Sequence, residues 1–182
     1  MKVKVKDGKK KKEYKSITKW SEVTLEKWVA MTEGGKDTKS KAAINTISML
    51  SDMPEELIKK LELSDVAVIL NEMGKLQRDQ KKGLQRIIEL NGKEYGFHPD
   101  LDSFTLGEYA DIETYIKLGL SKHLPEIMAI LYRPILEQKG RLYTIESYDG
   151  EIKMRAEEMR KMSAEQVQSA LVFFWIFVNA LL

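Results

Sequence analysis

Cysteine is absent from this sequence, which excludes disulfides, Cys-ligated zinc, iron–sulfur clusters and thiol catalysis. Histidine occurs twice, at His98 and His123, too few for a three-histidine metal site. There is neither a Gly-x-x-x-x-Gly-Lys-Ser/Thr phosphate loop nor a Gly-x-Gly-x-x-Gly fingerprint. Gly34-Gly35-Lys36 lacks the remainder of a phosphate loop. Asp100-Leu101-Asp102-Ser103 begins like a calcium loop, but Phe104 and Leu106 stand where oxygen donors are needed. Asp111 and Glu113 are two apart and fall on different sides of a helix, so they do not form an acid/base pair. His98 precedes a proline in a turn, His123 sits between Lys122 and Leu124, and neither has a partner that the sequence names, as a general base requires. No catalytic, metal or cofactor-binding set is assigned, and the expectation is a non-enzymatic protein without a cofactor.

What is present is globular. The 182 residues are 43% apolar and 32% charged, far from the composition of disordered chains, and the length suits one domain. Charge is unevenly placed. Residues 1–15 hold eight lysines against Asp7 and Glu13, a net of +6; with +2 overall, the rest carries −4. No apolar segment follows, so this is not a secretory signal. Two readings stay open for residues 1–15: a solvated edge hairpin whose lysines discourage strand aggregation, or a basic arm on which Lys9, Lys10, Lys11 and Lys12 meet a polyanion, including non-specific contact with DNA. Arginine is missing from the arm and Tyr14 is its one aromatic residue, which argues against base-specific recognition.

Periodicity describes a mainly α protein with a small β component: a basic arm or edge hairpin over 1–15 and a single mainly helical domain over 16–182. Lys2–Lys6 alternates lysine and valine, Asp7-Gly8 turns, and Tyr14–Trp20 returns as a strand. Ser21 or Thr24 caps a short helix that Gly34-Gly35 breaks, and Thr38 opens another. Met53-Pro54-Glu55-Glu56 starts a third, and Ser64-Asp65 a fourth. Asn91-Gly92 between Gln85–Leu90 and Lys93–Phe97 predicts a β-hairpin. Thr105 with Glu108, and Ser163 with Gln166, are capping boxes. Leu124–Arg133 reads as an apolar helix stopped by Pro134, with Arg133 at the negative end of the helix dipole; a buried arginine there requires a carboxylate partner. Glu108 with Asp111, and Asp111 with Tyr115, read as surface contacts. Arg141–Tyr148 alternates as a short extended segment, and Ile152–Met162 as a charged helix.

The end of the chain is the most apolar. Ala170–Val178 is nine apolar residues without interruption, and a helix apolar all round is not stable on a wet surface. Burial at the centre of the domain is the default. A partner or oligomer interface is the second reading. A membrane anchor is disfavoured, because thirteen residues from Ala170 span about 20 Å against a hydrocarbon core of about 30 Å.

The segments FTLGEYADIETYIKLG, LPEIMAILYRPI, YTIESYDG and AEEMRKMSAEQVQSALVFFWIFVNALL, with ITKWSEVTLEKWVAM near the start, resemble small structural-block proteins of tailed bacteriophages, in particular crAss-like and other Bacteroidetes-infecting phages. The resemblance implies a virion-assembly factor similar to tail-assembly chaperones, without enzymatic activity or cofactor. Its partners would be tail, portal or other virion proteins, or a second copy of itself. It would act in the host bacterial cytoplasm or travel in the particle as a structural or cargo protein. Within the matching segment, Glu108, Asp111, Glu113, Tyr115, Leu131, Tyr132, Arg133 and Pro134 are associated with the shared surface or core. Tyr132, Arg133, Phe173, Phe174, Trp175 and Phe177 are the expected interface or core residues.

Overall fold

A computed structural model describes residues 2–7, 10–33, 38–78 and 83–181. The expected break at Gly34-Gly35 and the arm residue Lys9 lie outside them, as do the side chains of Lys10, Lys11 and Phe177. By Cα proximity the chain forms two compact units. One holds the chain up to Val23 and from Lys27 through the fourth helix; the other holds Thr24–Glu26 and everything from Gly83 onward. The fold is mainly α with a small β component.

In the first unit, β1 (Lys2–Asp7) and β2 (Lys10–Lys15) pair antiparallel, Val3 opposite Tyr14 and Lys6 opposite Lys11. The return strand thus begins at Lys10 and not at Tyr14: Asp7 pairs with Lys10, and two intervening residues are the separation that hairpins favour. Beyond Lys15 the chain makes one bridge, Ser16 to Ser51, and enters a 3-10 turn over Trp20–Glu22. Four helices follow: α1 (Leu25–Glu33), α2 (Lys39–Leu50), α3 (Glu55–Ile58) and α4 (Leu63–Arg78). Thr38 caps α2 by accepting from the Lys41 N–H, and Pro54 stands immediately before α3, where its missing N–H costs no helix bond. Trp20, Val29, Ile47, Leu50, Ile58, Ile69 and Met73 are the unit's main buried side chains. Trp20 and Trp28 meet edge to face, their centroids 6.2 Å apart.

The second unit is built on a four-stranded antiparallel sheet in chain order. β3 (Ile87–Leu90) and β4 (Lys93–Phe97) form the expected hairpin. Asn91 and Gly92 have φ of 53° and 76°, as a type I′ turn demands at both central positions. Next come α5 (Leu106–Gly119), opened by its capping box, and α6 (Leu124–Leu131). Here the structure corrects the sequence reading. Tyr132, Arg133 and Pro134 do not close α6; they begin β5 (Tyr132–Lys139), paired on one side with β4 and on the other with β6 (Leu142–Ile145). A proline disfavours helical backbone in the residue before it, so Arg133 leaves the helix and Tyr132 turns with it. α7 (Lys153–Met159) and α8 (Ala164–Leu181) complete the unit. The Ser163 and Gln166 capping box is formed, each side chain taking the other residue's N–H at 3.2 and 2.9 Å. The segment Thr24–Glu26 is held to the end of α7 by Leu25 N–H to Met162 C=O and Glu26 N–H to Arg160 C=O.

Tyr143 crosses β4 at Gly96. Its hydroxyl donates to the Phe97 carbonyl at 2.6 Å, which leaves its ring over the glycine. A Cβ at position 96 would lie 2.4 Å from Tyr143 Cε2 and 2.9 Å from Ile145 Cγ2. Gly96→Ala is therefore expected to cost about 1–3 kcal/mol, as overpacking does. Urea unfolding should show a lower midpoint with an unchanged slope.

Candidate functional site

Two features of the second unit combine polar or apolar groups in unusual settings: a buried charge cluster and the far half of α8. The cluster begins with the capping box of α5. Glu108 Oε2 accepts from both the N–H and the hydroxyl of Thr105 at 2.7 Å, and the Glu108 N–H donates to Thr105 Oγ1 at 3.2 Å. The other carboxylate oxygen, Oε1, lies 2.7 Å from Arg133 Nη2 and 3.6 Å from His98 Nε2. Glu108 is 1% exposed and Arg133 3%. The surface contact expected for Glu108 is thus replaced by full burial, because β5 carries Arg133 beneath the first turn of α5. The carboxylate partner that a buried Arg133 requires is Glu108.

The cluster is closed by aromatic rings. The Tyr148 ring lies over the Arg133 guanidinium at 5.8 Å, and the Tyr148 hydroxyl donates to the Asp111 carboxylate, one turn along α5 from Glu108. Burial and that hydrogen bond both raise the Tyr148 hydroxyl above the usual phenol range. Phe104 meets His98 edge to face, with centroids 5.2 Å apart. Burial pulls the His98 imidazole below its ordinary value against the attraction of Glu108, with Arg133 adding to the depression and Asp100 opposing it. Burial likewise lowers Arg133, again opposed by Glu108, and a guanidinium keeps its proton throughout. With Oε2 in the capping box and Oε1 beside the Arg133 guanidinium, Glu108 is placed to hold α5 onto the sheet. His123, by contrast, is half-buried, 3.7 Å from Glu126 on its own helix and stacked near Tyr115.

The expected interface residues separate. Tyr132 is buried, its hydroxyl donating to the Gln85 carbonyl at 2.7 Å, and its ring meets Phe97 edge to face. Along α8, Val167, Ala170 and Phe174 are buried, the i, i+3, i+7 line of one helix face. Across the helix, Val172 and Ile176 are 56% and 65% exposed, and Phe173 and Trp175 are each 36% exposed. Phe173 rests one edge on Phe97, centroids 5.6 Å apart, and takes the Arg86 guanidinium over its ring at 5.9 Å. An open pocket of about 290 Å³ lies here, between Arg86, the His98–Asp102 segment, Phe173 and Ile176. All-round burial of the apolar run is not what the described residues adopt: α8 buries one face and leaves the other apolar and wet.

Among the described residues, no group of three or more His, Asp or Glu is placed to hold a metal ion, and no helix is long and apolar enough to cross a membrane. Comparison with protein-family models, with curated proteins and with solved structures finds no match to this chain. Sequence reasoning located both capping boxes but not the meeting of Glu108, Arg133 and His98. The one available signal was the electrostatic demand that Arg133 makes once it is buried.

Two outcomes are expected. Arg133→Met alone leaves Glu108 buried and unpaired and should cost about 3–5 kcal/mol, whereas adding Glu108→Gln should recover part of that loss; thermal or urea unfolding of the single and double variants measures it. The depressed His98 pKa means that the unfolded chain takes up this proton first as pH falls. Its contribution to stability is complete above the ordinary value of 6.5 and is lost below it, down to the folded-state value. The stability difference between pH 7.5 and pH 5 should therefore shrink in His98→Asn, by urea titration at both pH values.

Proposed function

We propose that this chain is a non-enzymatic bacteriophage virion-morphogenesis protein, similar to tail-assembly chaperones, that works by binding tail or portal components. The observation that carries the reading is the exposed strip of Val172, Phe173, Trp175 and Ile176 on α8. Soluble monomers seldom leave large apolar side chains contiguous and wet unless another surface covers them. Phe173 and Trp175, at its two edges, add aromatic area of the kind that interface hot spots use. The strip falls within the segment that resembles phage structural-block proteins, and assembly by surface burial needs no cofactor.

Val172 and Ile176 are also separable from the fold, because they lie opposite the buried line of α8. Val172→Asp with Ile176→Asp should change stability by no more than about 0.5 kcal/mol per site, the usual range for surface substitutions. In infected cells the wild-type protein should co-purify with identified tail or portal proteins, and the double variant should lose them. Quantitative mass spectrometry of particles and of assembly intermediates reads the result. Absence from both, with no virion protein co-purifying, overturns the reading.

A further inference from the structure

The pairing of β1 with β2 redistributes the lysines that the sequence presents as one block. In an antiparallel ribbon alternate residues belong to opposite faces, and directly opposed residues share a face. The register sets Lys2 opposite Lys15, Lys4 opposite Glu13 and Lys6 opposite Lys11 on one face. On the other are Val3 with Tyr14, Val5 with Lys12 and Asp7 with Lys10. The first face therefore gathers five lysines and one glutamate, and the second two lysines and one aspartate. By register, Lys10 and Lys12 belong to one face of the ribbon and Lys11 to the other.

Like charges directly opposite one another destabilise a strand pair, and the register sets two lysine pairs, Lys2 with Lys15 and Lys6 with Lys11, in that relation. A polyanion laid along that face would relieve the repulsion. We infer that the β1–β2 ribbon is a docking element for duplex DNA, binding the phosphate backbone without sequence preference. Several features favour that occupant. The major groove, about 12 Å wide, admits a two-stranded ribbon, whereas the major groove of duplex RNA is too narrow and deep for side chains to read. Same-face positions recur about every 6.8 Å along each strand, giving a ladder of like charges suited to a linear, repeating anion. Lysine engages phosphate as a point charge, and without arginine the ribbon lacks the fork that reads guanine. A lipid-binding element would set apolar residues beside the basic ones to enter the acyl boundary; here Val3, Val5 and Tyr14 belong to the opposite face. The base of the ribbon is fixed: the Lys15 N–H donates to Asp52 Oδ1 at 2.7 Å and the Asp52 N–H to the Lys15 carbonyl at 3.0 Å. Lys15 itself is exposed.

Fluorescence anisotropy of the full chain with a mixed-sequence duplex of about 20 base pairs, across 50–200 mM NaCl, tests this inference independently of the role of α8. Five phosphate contacts give a slope of log K against log salt of about −4.5. Lys6→Gln with Lys11→Gln should reduce its magnitude by about 2. Lys10→Gln with Lys12→Gln removes the same charge from the opposite face and should leave the slope near that of the parent. Lys2→Gln with Lys15→Gln repeats the first test at the other like-charge pair, and circular dichroism checks that each variant is folded. Equal weakening by the Lys6/Lys11 and Lys10/Lys12 changes overturns the assignment of the face. No duplex binding at 50 mM salt, or binding only to vesicles containing phosphatidylserine, overturns the ligand.

Discussion

The second unit depends on a single carboxylate with two duties. Glu108 closes the capping box of α5 through one oxygen and meets Arg133 of β5 through the other. A buried charge is costly to desolvate and is tolerated only where paired and hydrogen-bonded. Because both groups are almost fully sealed, α5 cannot drift from the sheet without leaving at least one of them unpaired. Tyr148 strengthens the constraint, since its ring covers Arg133 while its hydroxyl reaches Asp111 on the same helix. Hydrophobic burial alone is non-directional; this cluster supplies the direction.

The same cluster shows where sequence reading succeeds and where it stops. Thr105 and Glu108 are three residues apart, so their reciprocal bonds are a local matter, and the pattern is legible. The Asn91-Gly92 hairpin is legible for the same reason: two adjacent residues with positive φ determine the turn. The pairing of Glu108 with Arg133 spans 25 positions and depends on β5 passing under α5. Arg133 was misplaced on a helix because the apolar period of Leu124–Leu131 runs into Tyr132 with no glycine between. The restraint that Pro134 places on Arg133 is in the sequence.

The apolar run in α8 was legible as anomalous but not as divided. Nine apolar residues in succession carry no periodicity, so composition cannot say which side meets the protein. The division at Val167, Ala170 and Phe174 is set by what the rest of the unit offers, namely Phe104 beside Phe174 on that face and Phe97 beside Phe173 at its edge. The lysine block behaves in the opposite way. Its period of two is present in Lys2–Lys6, yet the faces of the returning strand follow only from the register, and a shift of one residue would exchange them all.

The lysine face of the β1–β2 ribbon and the exposed apolar face of α8 are surfaces of different physical kinds. Their responses to salt oppose each other. Charge contacts at a surface fade as the Debye length contracts from about 10 Å at 0.1 M to about 3 Å at 1 M. Burial of apolar area is not screened and is strengthened by kosmotropic salts. Ionic strength therefore discriminates between contacts made by the ribbon and contacts made by α8, even when both engage one assembly. On the proposed function and the proposed DNA contact, a complex that survives high salt would rest on the exposed face of α8, and one that dissolves would rest on the lysine face.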